Sequence, residues 1–314
     1  MKVVNGLNEL KKSGLHLSAV TMGTFDGVHL GHRKIIKTLL NVGIQQNLHS
    51  VLVTFEPHPQ LVLGKRGPIE TLTTQDEKLD LLQKTGIETV VVLEFNKQLA
   101  SFPPEEFVRE IFIDQMDMKA LVIGYDHAFG KNRSGNKELL ADLSQKDGFY
   151  FMVVPEYRVN DHAIKSTSIR EELKSGDYSQ AKKALGYNYL ISGKIIRGHG
   201  IGKTLGFPTI NLAVPPGKLL PREGVYSVNA RFDHTLYPGM LYIGGRLTFD
   251  DTAISVEVNL FEFKGEIDAD HAVLELTDYI RSPQKFRSKE ELIENMKNDE
   301  MEIKRRFNNQ EAVS

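Results

Sequence analysis

Ten residues, Gly23-Thr24-Phe25-Asp26-Gly27-Val28-His29-Leu30-Gly31-His32, set the tightest limits on how this chain can fold. They follow a short apolar stretch, Leu17 to Met22, and precede Arg33 to Gln46, where Ile35, Ile36, Leu39, Leu40 and Val42 recur at helical spacing. The glycines therefore fall between a buried strand and a helix. At such a junction the first N–H groups of the helix lack internal partners and the helix dipole favours an anion, while glycine lets a phosphate approach the main chain. His29 and His32 lie on one face of the first turn, where both can donate to one phosphate. An imidazole titrates near pH 6.5, so partial protonation near neutrality is expected of this pair.

Such a site suits nucleotidyl transfer. A second substrate that already carries a phosphate attacks the α-phosphorus of ATP, so the protein has to position two anions and stabilise the charge on departing pyrophosphate. No activated serine or cysteine is needed. A bare H-x-G-H also fits a helix-capping histidine beside a satisfied core one; the full run, placed after a strand, favours the phosphate site.

With 314 residues the chain can bury two separate cores. A net charge of −2 with 25% charged residues is that of an ordinary globular protein and gives no basic surface for nucleic acid. The absence of cysteine excludes disulfides, thiolate metal sites and a cysteine nucleophile. Charges at Lys2, Glu9, Lys11 and Lys12 interrupt any signal-peptide core, and no apolar run reaches membrane-spanning length. A cytoplasmic location is the expectation, with a monomer or weak homo-oligomer and no membrane partner.

Up to about residue 175 strand-like runs at Ser50 to Phe55, Glu88 to Phe95, Lys119 to Gly124 and Tyr150 to Val154 alternate with helical patterns, which predicts a Rossmann-like parallel α/β sheet. Thr74 with Glu77, and Ser168 with Glu171, read as capping boxes, and Pro103-Pro104 opens a third helix. After Gly186 the texture changes. Tyr189 to Arg197, Leu205 to Leu212, Gly224 to Phe232, Leu236 to Ile243, Ala253 to Phe261 and His271 to Ile280 predict a six-stranded antiparallel β-barrel, closed by an amphipathic C-terminal helix from Lys289 to Arg306. The boundary falls within residues 177 to 188, giving domains 1–184 and 185–314.

Five motifs then occur in order: GTFDGVHLGH at 23–32, TFEPHP at 54–59, GYDHAFG at 124–130, STSIR at 166–170, and GKIIRGHG with KTLGFPTINL at 193–200 and 203–212. In this the chain resembles the prokaryotic bifunctional riboflavin kinase and FMN adenylyltransferase family, the FAD synthetases, over nearly its whole length. The resemblance implies an α/β nucleotidyltransferase domain that adenylates FMN to FAD and a barrel that phosphorylates riboflavin to FMN, both using ATP with Mg²⁺. By the same resemblance His29 and His32 contact the ATP phosphates, Gly23 and Phe25 line the adenylation site, Asp126 lies near the flavin or its ribityl chain, and Ser166, Thr167 and Arg170 form a phosphate-binding element. In the kinase half it implies Gly198, Gly200 and Lys203 in a phosphate-facing loop, Thr209 and Asn211 as Mg²⁺ ligands, Glu257 as catalytic base and Arg281 on the flavin side. An alcohol nucleophile makes such a base useful, and hydroxyl and amide oxygens are hard ligands suited to Mg²⁺.

The chain departs from the family pattern at Lys165, His127, Leu247, Asn259 and the turn around Gly265. Those in the kinase half cluster on its flavin side, so the alternative is an FMN adenylyltransferase with a weak or silent kinase barrel. An adenylyltransferase for phosphopantetheine or nicotinate mononucleotide would share the phosphate machinery but does not account for the barrel. A flavin-sensing regulator or RNA-binding module finds little support in a near-neutral chain without a basic, aromatic stripe. An aminoacyl-tRNA synthetase would need a far larger chain.

Overall fold

The runs Ser18–Met22, His49–Glu56, Thr89–Glu94 and Met118–Gly124 are buried at nearly every position rather than alternately. Strands of that kind need cover on both faces, which a parallel sheet between helices provides. A computed structural model, describing residues 1–64, 69–131, 134–159, 162–198, 201–232, 235–245, 254–263 and 269–311, has this architecture in the first of two compact units, Met1–Ser166 and Thr167–Ser314.

In the first unit β1 (Lys2–Asn5), β2 (Ser18–Met22), β3 (His49–Glu56), β4 (Thr89–Glu94), β5 (Met118–Gly124) and β6 (Tyr150–Val154) form a parallel sheet in the order β1-β4-β3-β2-β5-β6. A two-residue ribbon follows, β7 (Arg158–Val159) with β8 (His162–Ala163). The first strand was not read from the sequence, because only Val4 of its four residues is buried and no periodicity marks it. Strand order reverses beside β2: β3 and β4 step away on one side, β5 and β6 on the other. The crevice beyond the carboxyl ends of strands at such a switch point is where open α/β sheets bind ligands. The 23–32 run leaves β2 at that point, residues 54–59 leave β3 beside it, and residues 124–130 leave β5 on its other flank.

The helix Leu30–Gln46 packs against β2 and β5. The Thr74 and Glu77 capping box opens the helix Gln75–Gln83 as read from the sequence, with both reciprocal hydrogen bonds formed. The helix opened by Pro104 passes at Val108–Ile113 into a π-helical turn, which the apolar spacing does not announce. The helix expected to start at Ser168 runs instead from Ser166 to Ser175, so Ser168 lies inside its first turn and is not its cap.

In the second unit β9 (Leu190–Ile196), β10 (Thr209–Ala213), β11 (Gly224–Phe232), β12 (Thr235–Gly245), β13 (Ile254–Leu260) and β14 (His271–Arg281) close a barrel in the order β10-β13-β12-β11-β14-β9. The second of these is shorter than expected: residues Ile201–Leu205 form a short helix, and Gly206 at φ +86° with Pro208 delays the strand to Thr209. Leu212, Tyr226, Leu241, Val256, Val258 and Leu274 are buried inside the barrel. Side chains alternate along a strand, so Thr209 and Asn211 on β10 and Glu257 and Asn259 on β13 lie on its outer face. The C-terminal helix Lys289–Glu311 covers part of that face, seating Ile293, Met296 and Ile303 against Phe207, Val225, Met240 and Phe261. Among the described residues no helix is long and apolar enough to cross a membrane.

Candidate active sites

At the switch point the chain makes an unusual turn. Phe25, Gly27 and Val28 have φ of +48°, +82° and +35°, a region that costs a β-branched residue most. Asp26, 3% exposed, holds the turn in place. Its carboxylate accepts from the Leu72 N–H at 3.1 Å, the Thr73 N–H at 3.1 Å and the Thr73 hydroxyl at 3.3 Å. The Gly27 N–H donates to the same Thr73 hydroxyl at 3.1 Å, and the Ser166 hydroxyl donates to the Asp26 carbonyl at 3.0 Å. The Thr24 carbonyl accepts from the Thr54 hydroxyl at 3.1 Å. Asp26 and Thr73 were not among the residues singled out from the sequence. The available signal was an aspartate between a positive-φ turn and a glycine, paired with a threonine some fifty residues away that no local pattern connects to it.

His29 is the N-cap of the motif helix, its Nδ1 accepting the His32 N–H at 3.3 Å. The two rings stack with centroids 3.6 Å apart and planes at 17°, and Phe25 tilts against His32 at 5.1 Å. The flanking glycines answer to these rings. A Cβ on Gly31 would stand 3.1 Å from His29 Cε1, and one on Gly23 would stand 3.3 Å from the Phe25 ring. Their smallness thus serves side-chain packing as well as any approach by a ligand. Capping commits His29 Nδ1 as an acceptor, which leaves Nε2 as the ring's N–H donor.

The expectation of a partly charged His32 is corrected. Burial, then the neighbouring His29 and Lys78, push its pKa well below the ordinary histidine value, so the ring is neutral near pH 7. His32 Nδ1 is buried with no hydrogen-bond partner. A buried nitrogen without a protein partner, beside a helix N-terminus, is free to meet a polar group from outside the chain. Gly23, Phe25, His29, His32 and Ser166 are thus brought together in the first unit. Asp126 follows β5 and is exposed. Thr167, exposed, and Arg170, half-buried, stand on the helix Ser166–Ser175 as part of the second unit.

On the barrel, Asn211 lies directly opposite Glu257 and Thr209 opposite Asn259. The Asn259 amide donates to the Pro208 carbonyl at 2.8 Å, so this departure from the family pattern secures the entry to β10. Asn211 is 7% exposed. A Cβ on Gly198 would come within 2.2 Å of Asn211 Nδ2, and one on Gly202 within 2.3 Å of the Phe207 carbonyl oxygen and 3.1 Å of the Thr209 hydroxyl. Gly198 and Gly202 therefore approach these two polar side chains too closely to carry a side chain of their own. Lys203 falls in the short helix Ile201–Leu205, while Gly200, Leu247 and Gly265 lie outside the described residues.

Tyr242 pairs with Glu257 on its other side. Burial, then Glu223 and Glu257, raise the pKa of its hydroxyl while Arg281 opposes them, which sets all three charges around one ring. The Arg281 guanidinium is itself engaged: Nε and Nη2 donate to the Asp299 carboxylate at 2.7 to 3.0 Å, and Nη1 donates to the Ser282 carbonyl at 3.2 Å. It ties the end of β14 to the C-terminal helix.

Comparison with known proteins matches two family models along the chain. Residues 11–168 match the FAD synthetase family model and residues 185–307 the riboflavin kinase family model. Relatives described as bifunctional riboflavin kinase/FMN adenylyltransferase are 34% identical over 92% of both chains in Listeria monocytogenes and 35% identical over 93% of both chains in Bacillus subtilis. A crystal structure described as a macrolide-efflux protein from Streptococcus pneumoniae shares the fold over 96% of this chain and 98% of that one, with a TM-score of 0.83 and 27% identity. From end to end, therefore, this chain belongs to the bifunctional riboflavin kinase/FMN adenylyltransferase family.

Proposed function

We propose that the barrel transfers the γ-phosphoryl group of ATP to riboflavin, giving FMN and ADP, and that the parallel-sheet domain transfers the adenylyl group of a second ATP to FMN, giving FAD and pyrophosphate. The observation that carries this reading is the opposition of Asn211 and Glu257 beside Thr209 in one unit, together with the capped, stacked His29 and His32 at the sheet's switch point in the other.

In the kinase reaction the terminal ribityl hydroxyl attacks the γ-phosphorus, and Glu257 takes its proton. The Thr209 hydroxyl and the Asn211 amide oxygen fit Mg²⁺: they are hard oxygens on one face of one strand, under glycines with no room for a side chain. A bound Mg²⁺ would neutralise phosphate charge there. The resemblance gives Gly198, Gly200 and Lys203 to the phosphate loop and Arg281, held by Asp299, to the flavin side.

In the adenylation reaction a phosphate oxygen of FMN attacks the α-phosphorus and pyrophosphate leaves, with no general base required. His29 through Nε2 and His32 donate to phosphate oxygens as neutral imidazoles, and Arg170 grips another phosphate through two parallel donors. Gly23 and Phe25 line the nucleotide, Ser166 and Thr167 support the phosphate element, and Asp126 faces the flavin or its ribityl chain. The functional domains on this reading are 1–184 and 185–314, and the chain works in the cytoplasm as a monomer or weak homo-oligomer, without nucleic acid or membrane.

Incubation with riboflavin, ATP and Mg²⁺, followed by chromatographic separation of the flavins, tests the proposal. FMN and FAD together are expected. FAD formed only from supplied FMN would reduce the barrel to a silent kinase, and the absence of both products would overturn the reading.

A further inference from the structure

Lys78, on the helix Gln75–Gln83, is 6% exposed, yet among the described residues it makes no ion pair. Among the described residues its ammonium donates only to the Thr54 hydroxyl and the Phe55 carbonyl, each at 3.4 Å, well beyond the roughly 2.7–2.9 Å of a strong charged hydrogen bond. A buried cation so weakly answered is costly unless an anion comes to it. The charged and titratable groups around it are Asp26 from the motif turn, Glu56 from the end of β3 and His32 from the motif helix. Neither carboxylate neutralises it at ion-pair distance: that of Asp26 is bound by Leu72 and Thr73, and Glu56 is exposed.

Burial holds the Lys78 pKa below the ordinary lysine value, against the opposing pull of Glu56 and Asp26. Its charge in turn helps keep His32 neutral, and His32 carries the matching deficit, a buried Nδ1 with no partner. Thr54 completes the link, since its hydroxyl accepts from Lys78 and donates to the Thr24 carbonyl of the motif turn. A lysine without an ion pair, an imidazole with an unmatched nitrogen and a helix N-terminus thus converge on the crevice beyond β2 and β3.

We infer that Lys78 is a further substrate-binding residue of the adenylation site, its ammonium meeting the phosphates of the nucleotide that become pyrophosphate. This rests on the adenylation reading above. It assigns Lys78 the charge that builds on the leaving group, where a preformed cation in a dry site acts most strongly.

The reverse reaction isolates this role, because only the adenylation site consumes FAD and pyrophosphate: a pyrophosphate oxygen attacks the adenylyl phosphorus of FAD, releasing ATP and FMN. In the whole protein Lys78→Met is expected to raise the KM for pyrophosphate at least tenfold while leaving the KM for FAD within about twofold. Lys78→Arg is expected to recover most of the loss. A purely structural lysine would shift both KM values together or neither, and either result overturns the inference. If Lys78→Met does not fold, lysine-labelled wild-type protein gives the same answer by NMR: the Lys78 side-chain signal and its pKa rise on adding pyrophosphate, and no movement overturns the inference. A raised pyrophosphate KM in His32→Gln with none in Lys78→Met would remove Lys78 alone, whereas wild-type protein with no FAD turnover in either direction would remove the adenylation reading itself.

Discussion

Asn211 and Glu257 are directly opposed residues of the antiparallel pair β10 and β13, so the two side chains share the outer face of the barrel as nearest cross-strand neighbours. Such neighbours stand about 4.5–5.5 Å apart at Cβ. A one-residue slip of either strand would turn one of them into the barrel interior, so the barrel's own hydrophobic pattern fixes the register of the site.

Glu257→Gln keeps the shape of the side chain and removes its ability to take a proton. FMN formation is expected to fall by about 10²- to 10⁴-fold, the usual worth of a general base. Synthesis of FAD from supplied FMN is expected to continue at the wild-type rate, measured by separating the flavins after timed incubation.

Gly198→Ala places a methyl group where Asn211 Nδ2 now lies, 2.2 Å from the ideal Cβ position. The amide can swing aside, so unfolding should change little. Its carbonyl oxygen moves with it. FMN formation is expected to drop by more than tenfold, with a raised Mg²⁺ requirement in a titration of the metal, and FAD formation from FMN is expected to be unaffected.

His29 has two tasks that substitution can separate. His29→Ala removes the helix cap and should cost about 1 kcal/mol of stability in denaturant unfolding, whereas His29→Asn restores a capping side chain and should cost only a few tenths. Both remove the Nε2 donor, so both are expected to lose FAD formation. Full FAD synthesis by His29→Asn would show the ring to be a cap and nothing more.

His32 makes stability depend on pH in a fixed direction. Its folded pKa is depressed, so below the unfolded value of about 6.5 the unfolded chain takes up a proton that the folded chain refuses. The contribution is present above pH 6.5 and is lost as the pH falls from there towards the folded pKa, at no more than about 1.4 kcal/mol per pH unit. Urea unfolding of the wild type is expected to show a larger loss between pH 6.5 and 5.5 than that of His32→Gln. Pyrophosphate should reduce the wild-type loss, because an anion beside the ring raises its folded pKa.

Much of this could be read from the chain because local chemistry and fold agree. Buried strand runs, the Thr74 and Glu77 box and the six barrel strands all carry local signals, and the strand-to-helix junction at Gly23–His32 stands where those signals put it. What escaped the sequence depends on distant partners. The role of Asp26 shows only when Thr73 meets it, the neutral state of His32 follows from burial, then from His29 and from Lys78 on another helix, and Arg281 shows its tie only when Asp299 of the final helix reaches it. The short helix at Ile201–Leu205 was missed for a local reason: Gly202 within it and Gly198 and Gly200 before it speak for a loop, and only the geometry of Gly206 and Pro208 delimits it.

Ser166 donates its hydroxyl to the carbonyl of Asp26 from well beyond the last strand of the parallel sheet. A shortened chain ending at Ala163 would keep every one of those strands, and the bonds from Asp26 to Leu72 and Thr73, yet lose this tie to the Gly23–His32 turn. The sheet and the full set of bonds around its motif turn are therefore completed at different points along the polypeptide, and a ribosome would release the first before the second.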